Sequence, residues 1–240
     1  MSKIKTAMIL AAGRGVRMRE LTDTKPKPLI EVCQKPIIHY IVEKMQVHPI
    51  NKIVVNTCYK GDMIKTALAD YDNIVFSDEE TALETGGGVK KALPLLQDEV
   101  FFVSNADPVW LDNSTSVFQQ LEDSWNPDET DILLALIPTQ NAKGDVKDGN
   151  YFIENNKPRR QRVGEKNIPY LFMGIQIIHS RIFKNVTNTV FSLRDLYDEA
   201  ERNNRLGYII FDGKWYHVGT PEALQQTETD LTRDFECLPH

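Results

Sequence analysis

Cysteine is scarce in this chain of 240 residues: Cys33, Cys58 and Cys237 are far apart and share no CxxC spacing. Three such residues exclude a disulfide framework and a cysteine-based zinc site, and they read as reduced thiols. A basic excess is also missing. The 28 Lys and Arg residues are outnumbered by 34 Asp and Glu, for a net charge of -6. Binding a phosphate backbone needs a basic face, so a nucleic-acid partner is not expected. The single basic cluster, Lys157-Pro158-Arg159-Arg160-Gln161-Arg162, is expected to be a solvated strand or loop edge.

No apolar run is long enough to span a bilayer, and the N-terminus has no apolar stretch of the secretory kind. A cytoplasmic protein with no membrane partner is therefore expected, as a monomer or a small homo-oligomer. Long Gly/Ser linkers, internal repeats and low-complexity tracts are lacking as well. One domain over residues 1–240 is the expectation, with a first half to about residue 112 and a second over about 113–230. The tail from Asp230 to His240 is expected to be surface helix or a frayed end.

What is present is a wound α/β pattern. Short apolar runs at Ile4–Leu10, Ile53–Val55, Ile74–Phe76 and Val100–Ser104 read as strands. Between them Lys35–Val47, Gly61–Asp70 and Thr85–Gln97 carry helical signals, the first with Ile38, Ile41, Val42 and Met45 on one face. Strands separated by helices imply a mainly parallel sheet covered on both faces. Beyond Asp107 the pattern becomes more antiparallel. It has a helix over Ser114–Ser124 and strands at Asp131–Ile137, Tyr170–Ile178, Tyr208–Phe211 and Trp215–Val218. Tyr151–Glu154 and Arg159–Val163 read as a hairpin around Asn155-Asn156. Leu193–Asn203 reads as a helix, and Thr220-Pro221-Glu222 opens another.

The first strand runs into Leu10-Ala11-Ala12-Gly13-Arg14-Gly15-Val16-Arg17-Met18, followed by Lys25-Pro26-Lys27-Pro28-Leu29. Small residues let backbone N–H groups close around an anion, and the cations here have no acid beside them in sequence. A polyphosphate ligand is implied. The Walker pattern fails, because Gly13 lacks its partners. A dinucleotide fingerprint, and with it a hydride-transfer enzyme, fails at Met18, where the third glycine belongs.

These residues resemble the signature of sugar-1-phosphate nucleotidyltransferases. The resemblance continues through Thr85-Gly86-Gly87-Gly88, Asn105-Ala106-Asp107, Phe172-Met173-Gly174-Ile175 and Trp215-Tyr216-His217-Val218-Gly219-Thr220. Within the family, Leu83–Gly88 with Lys91–Leu96 is most similar to N-acetylmuramate α-1-phosphate uridylyltransferases of peptidoglycan recycling. Mannose-1-phosphate guanylyltransferases are less similar.

The resemblance implies a three-layer Rossmann-like α/β fold with a central mixed, mainly parallel sheet. It implies attack by a sugar 1-phosphate on the α-phosphorus of an NTP, with pyrophosphate leaving. Ala11, Ala12, Gly13, Arg14, Gly15, Val16 and Arg17 would hold the nucleotide, and Glu84, Gly86 and Gly87 its base. Arg17 and Lys27 would be catalytic, and Gly149 and Gly174 would lie against the sugar. Asp107 would hold Mg²⁺, although its local sequence equally permits a turn aspartate before Pro108.

His217 stands where many relatives carry a second metal-binding aspartate. Imidazole is a poor ligand for Mg²⁺. Three readings follow: Mg²⁺ held by Asp107, waters and phosphates; a nitrogen-tolerant ion such as Mn²⁺; or a nucleotide-sugar-binding protein without catalysis. The Glu-Lys pair many relatives place on the sugar has no clear counterpart, since Glu165-Lys166 falls in an expected loop.

Overall fold

The computed structural model describes residues 4–236, so Cys237 and the end of the expected tail lie outside the described residues. In chain order the elements are β1 (Thr6–Leu10), α1 (Leu21–Thr24), β2 (Glu31–Val32), β3 (Lys35–Pro36), α2 (Ile37–Val47), β4 (Lys52–Thr57), α3 (Gly61–Ala67), β5 (Ile74–Asp78), α4 (Glu84–Leu96) and β6 (Val100–Asn105). They continue with β7 (Pro108–Leu111), α5 (Val117–Ser124), β8 (Ile132–Pro138), β9 (Ala142–Gly144), β10 (Tyr151–Glu154), β11 (Lys157–Arg160), β12 (Tyr170–His179), α6 (Leu193–Arg202), β13 (Leu206–Ile210), β14 (Lys214–His217) and α7 (Pro221–Glu236).

The central sheet is mixed and mainly parallel, with helices on both sides. β5, β4, β1 and β6 lie side by side and parallel. β12 then pairs antiparallel with β6 on one edge and β8 on the other, and β13 follows parallel to β8. The β6–β12 ladder knits the two halves of the chain into one sheet. Successive side chains on a strand face opposite ways, and the two cores follow that rule. Ala7, Ile9 and Phe102 join α2 and α5 on one face, while Met8, Phe101 and Val103 join α4 and α6 on the other.

A separate small sheet joins β7, β14 and β9. Its short strands, Pro108–Leu111 and Ala142–Gly144, were not expected from the sequence. The hairpin is tighter than expected. Asn155 and Asn156 both have positive φ, 50° and 58°, as a two-residue turn of the primed type requires. The second strand therefore starts at Lys157 rather than Arg159. The basic cluster lies on the edge strand β11 as expected, with Lys157, Gln161 and Arg162 exposed, but Arg159 and Arg160 are half-buried in ion pairs. Arg159 sits 2.9 Å from Glu154 and 3.0 Å from Glu165, and Arg160 donates to Asp198 at 2.7 Å. Helix α5 begins at Val117 because Ser116 caps it, accepting the Gln119 N–H at 3.2 Å. Among the described residues no helix is long and apolar enough to cross a membrane.

In the first core Phe102 makes edge-on contacts to Phe118 at 5.2 Å and His48 at 5.5 Å between ring centroids. Removing the ring should cost about 3–5 kcal/mol. Urea denaturation of Phe102→Ala is expected to show that loss; a shift below about 1 kcal/mol would contradict this packing.

Candidate active site

The site lies at the carboxyl ends of β1, β4 and β6, where parallel sheets collect ligands. Leaving β1, the Ala11 N–H donates to Asn56 Oδ1 at 2.7 Å. Asn56 in turn donates to Glu79 at 2.6 Å, and the other Glu79 oxygen accepts the Leu83 N–H at 3.0 Å. This buried relay fixes the start of the loop against the neighbouring strand ends.

Gly13 has nothing within 4 Å of a side-chain position, so its free face is open to the cavity it lines. Gly15 has φ 71°, and a Cβ there would stand 2.6 Å from Lys27 Cβ. Glycine at 15 thus lets Lys27 lie across the loop. Val16–Met18 forms a single 3-10 turn instead of a long helix, with Met18 buried in the core.

Lys27 is itself buried, in a 3-10 turn set by Pro26 and Pro28, and its Nζ lies 2.9 Å from Asp107 Oδ2. Asp107 occupies the turn between β6 and β7. The β7–β14 register pairs His217 with Pro108, which brings the imidazole beside Asp107. His217 Nε2 is 3.2 Å from Asp107 Oδ2, and Nδ1 is 2.9 Å from the Asp145 carbonyl oxygen. Burial works to raise the Asp107 carboxyl, but the Lys27 charge and the His217 contact outweigh it and hold the group well below the usual range. A carbonyl cannot donate, so Nδ1 carries a proton. Nε2 faces the carboxylate oxygen that also accepts from Lys27.

Two cavities meet here, of about 380 and 620 Å³. Ala11, Ala12, Gly13, Gly15, Val16, Arg17, Lys27 and Glu84 line the first; Gly149, Gly174 and His217 line the second; Arg17, Thr85, Asn105 and Asp107 line both. Three of the expected residues lie outside that lining. The Arg14 guanidinium lies 5.3 Å over the Tyr59 ring and 3.6 Å from Asp23, outside the lining. Gly86 and Gly87 also lie outside it. A Cβ at Gly86 would meet the Phe191 ring at 2.4 Å, and one at Gly87 the Thr189 carbonyl at 2.2 Å. Their missing side chains make room for the segment over residues 189–191.

The cations do have acids beside them in space. Arg17 pairs with Asp145, 128 residues away, and Lys27 with Asp107, 80 away. The two cavity glycines are likewise needed by the chain itself. A Cβ at Gly149 would meet the Ile168 and Tyr170 carbonyls at 2.4 Å, while Gly174 has φ 85° against Asn105. Glu165 is occupied by Arg159 and does not line the cavities. Sequence reasoning missed Asn56, Glu79 and Asp145. The first has a usable signal, a polar residue closing an apolar strand at its carboxyl end.

A family model described as nucleotidyl transferase matches residues 6–234. The chain belongs to that family. It is an enzyme of the nucleotidyltransferase class. It is 32% identical over 234 residues to an N-acetylmuramate α-1-phosphate uridylyltransferase of Caulobacter vibrioides, covering 95% of this chain and 97% of that one. It is 28% identical to a mannose-1-phosphate guanyltransferase of Hypocrea jecorina, over 90% of this chain and 61% of the relative. In fold it matches the inositol-1-phosphate CTP transferase of T. maritima with a TM-score of 0.78 at 17% identity, covering 100% and 99% of the two chains.

Two predictions follow from the local packing. Gly87→Ala should lose about 1–3 kcal/mol of stability through the backbone clash, read by denaturation, while the folded protein keeps its nucleotide affinity. A large fall in affinity with unchanged stability would return Gly87 to the site.

Asp148 accepts the Ile168 and Gly149 N–H groups, each at 2.8 Å, and the Asn167 N–H at 3.1 Å. These bonds, that from Ile168 first, lower its pKa. Its contribution is complete above the unfolded value of about 4 and is lost as pH falls through the lowered folded value. Asp148→Asn should therefore flatten stability against pH on the acid side; an unaltered acid limb would contradict the assignment.

Proposed function

We propose that the chain transfers the uridylyl group of UTP to N-acetylmuramic acid α-1-phosphate, releasing pyrophosphate, in the recycling of peptidoglycan sugars. The observation carrying this reading is the 32% identity that extends over nearly the full length of both chains. The geometry supports the reaction class: a glycine loop with two cations on one side of Asp107, and a second, larger cavity on the other.

The acceptor phosphate is already an anion at neutral pH, since the second pKa of a monoester lies near ~6. No general base is needed, and catalysis rests on positioning and charge neutralisation. Backbone amides from Ala12 to Val16 hold the triphosphate. Arg17, exchanging Asp145 for phosphate, stabilises the leaving pyrophosphate. Lys27 neutralises charge building between the α-phosphate and the sugar phosphate.

Asp107 Oδ2 and His217 Nε2 would hold a divalent cation between them. Two protein ligands fit an ion that completes its shell with water and phosphate oxygens, as Mg²⁺ does. The imidazole makes Mn²⁺ the better match. When bound, that ion supplies positive charge against the triphosphate.

Pyrophosphate release measured with each NTP against a sugar-phosphate panel tests the reading. UTP with N-acetylmuramic acid 1-phosphate is expected to be fastest, with Mn²⁺ supporting turnover at least as well as Mg²⁺. A higher rate with GTP and mannose 1-phosphate would overturn the substrate assignment. Binding without release under either metal, with turnover gained in His217→Asp, would instead mark a nucleotide-sugar-binding protein. Lys27→Ala should lower kcat by about 10²–10³; a decrease below about tenfold would remove Lys27 from the transition state.

A further inference from the structure

Part of the wall of the second cavity is built by α6 and the β10–β11 hairpin, which bring Tyr151, Arg160, Arg194 and Tyr197 to it. The arginines and lysines lining this cavity divide into two kinds. Arg17 is held by Asp145, and Arg160 by Asp198. Arg194 and Lys147 have no carboxylate partner among the described residues.

Arg194 is the more telling of these two. It lies in the first turn of α6, two residues after the cap Ser192. The partial positive charge of a helix start favours an acid there and disfavours a cation. Arg194 is nonetheless there, exposed, without a carboxylate partner among the described residues, and on the rim of the cavity. The neighbouring wall is apolar, with Phe172, Leu193 and the Tyr197 ring, so an anion bound there would be partly shielded from water. Tyr151 belongs to the same wall. It is 2% exposed, and its hydroxyl has no hydrogen-bond partner among the described residues.

We propose that Arg194 is the specificity-determining residue for the acceptor, its guanidinium binding a carboxylate carried on the sugar ring. The planar fork of arginine matches a carboxylate in two hydrogen bonds, which a lysine cannot reproduce. The proposal rests on the reading of the second cavity as the sugar 1-phosphate site, and it makes that site selective for an acidic sugar.

N-acetylmuramic acid 1-phosphate and N-acetylglucosamine 1-phosphate share a ring and differ by one lactyl ether carboxylate, so they form the test pair. The quantity to measure is the ratio of their kcat/KM values in the wild type, Arg194→Gln, Arg194→Lys and Lys147→Gln. In Arg194→Gln the preference for the acidic sugar should fall by about tenfold or more, carried by KM and not kcat. Arg194→Lys should fall between it and the wild type.

A wild type that prefers the acidic sugar while Arg194→Gln keeps that preference within about twofold would overturn the assignment of Arg194 and leave the proposed reaction standing. An equal loss in Lys147→Gln would overturn it too, because the preference would then come from the net charge of the rim. A wild type with no preference between the two sugars would overturn the proposed acceptor itself.

Discussion

One oxygen, Oδ2 of Asp107, organises the site. Lys27 reaches it from the first quarter of the chain at 2.9 Å and His217 from the last strand at 3.2 Å. Neither contact is local. Each requires a different part of the fold to be correct: the Pro26-Lys27-Pro28 turn packed over Gly15, and the register that sets β14 against β7. The carboxylate stays ionised because these two groups compensate for its burial. The oxygen that gathers the charges also stands where the two cavities meet.

That arrangement explains why the small β7–β14–β9 sheet matters out of proportion to its size. It places His217 beside Asp107, and through the His217–Gly144 pairing it brings Asp145 within reach of Arg17. The glycine loop and the second cavity are thus tied together by two ion pairs, Arg17 with Asp145 and Lys27 with Asp107. In the proposed reaction a triphosphate entering the loop would compete with Asp145 for Arg17, so that filling one cavity would release a group of the other.

Much of this was legible in the sequence. The strand and helix pattern from Ile4 to Asn105 follows hydrophobic periodicity, and the loop Ala11–Arg17, Lys27, Asp107 and His217 stand out by residue type and order. The rest depended on contacts that periodicity does not carry. β7 and β9 are too short to show a period, and they exist because of partners far along the chain. Asp145 sits in a segment with no pattern at all. Glycine was the most deceptive signal. Gly13 and Gly15 belong to the cavity, but Gly86 and Gly87 are small because residues 189–191 pass close to them. An absent side chain marks a close neighbour without saying whether that neighbour is ligand or protein.

The claim that Asp107 is the centre on which catalysis turns is tested most directly by Asp107→Asn, which keeps the shape and removes the charge. Pyrophosphate release and UTP binding would be measured on the same preparation. The account predicts that release falls by at least about 10³-fold while the protein still folds and binds UTP in the first cavity. Turnover within about tenfold of the wild type would contradict it.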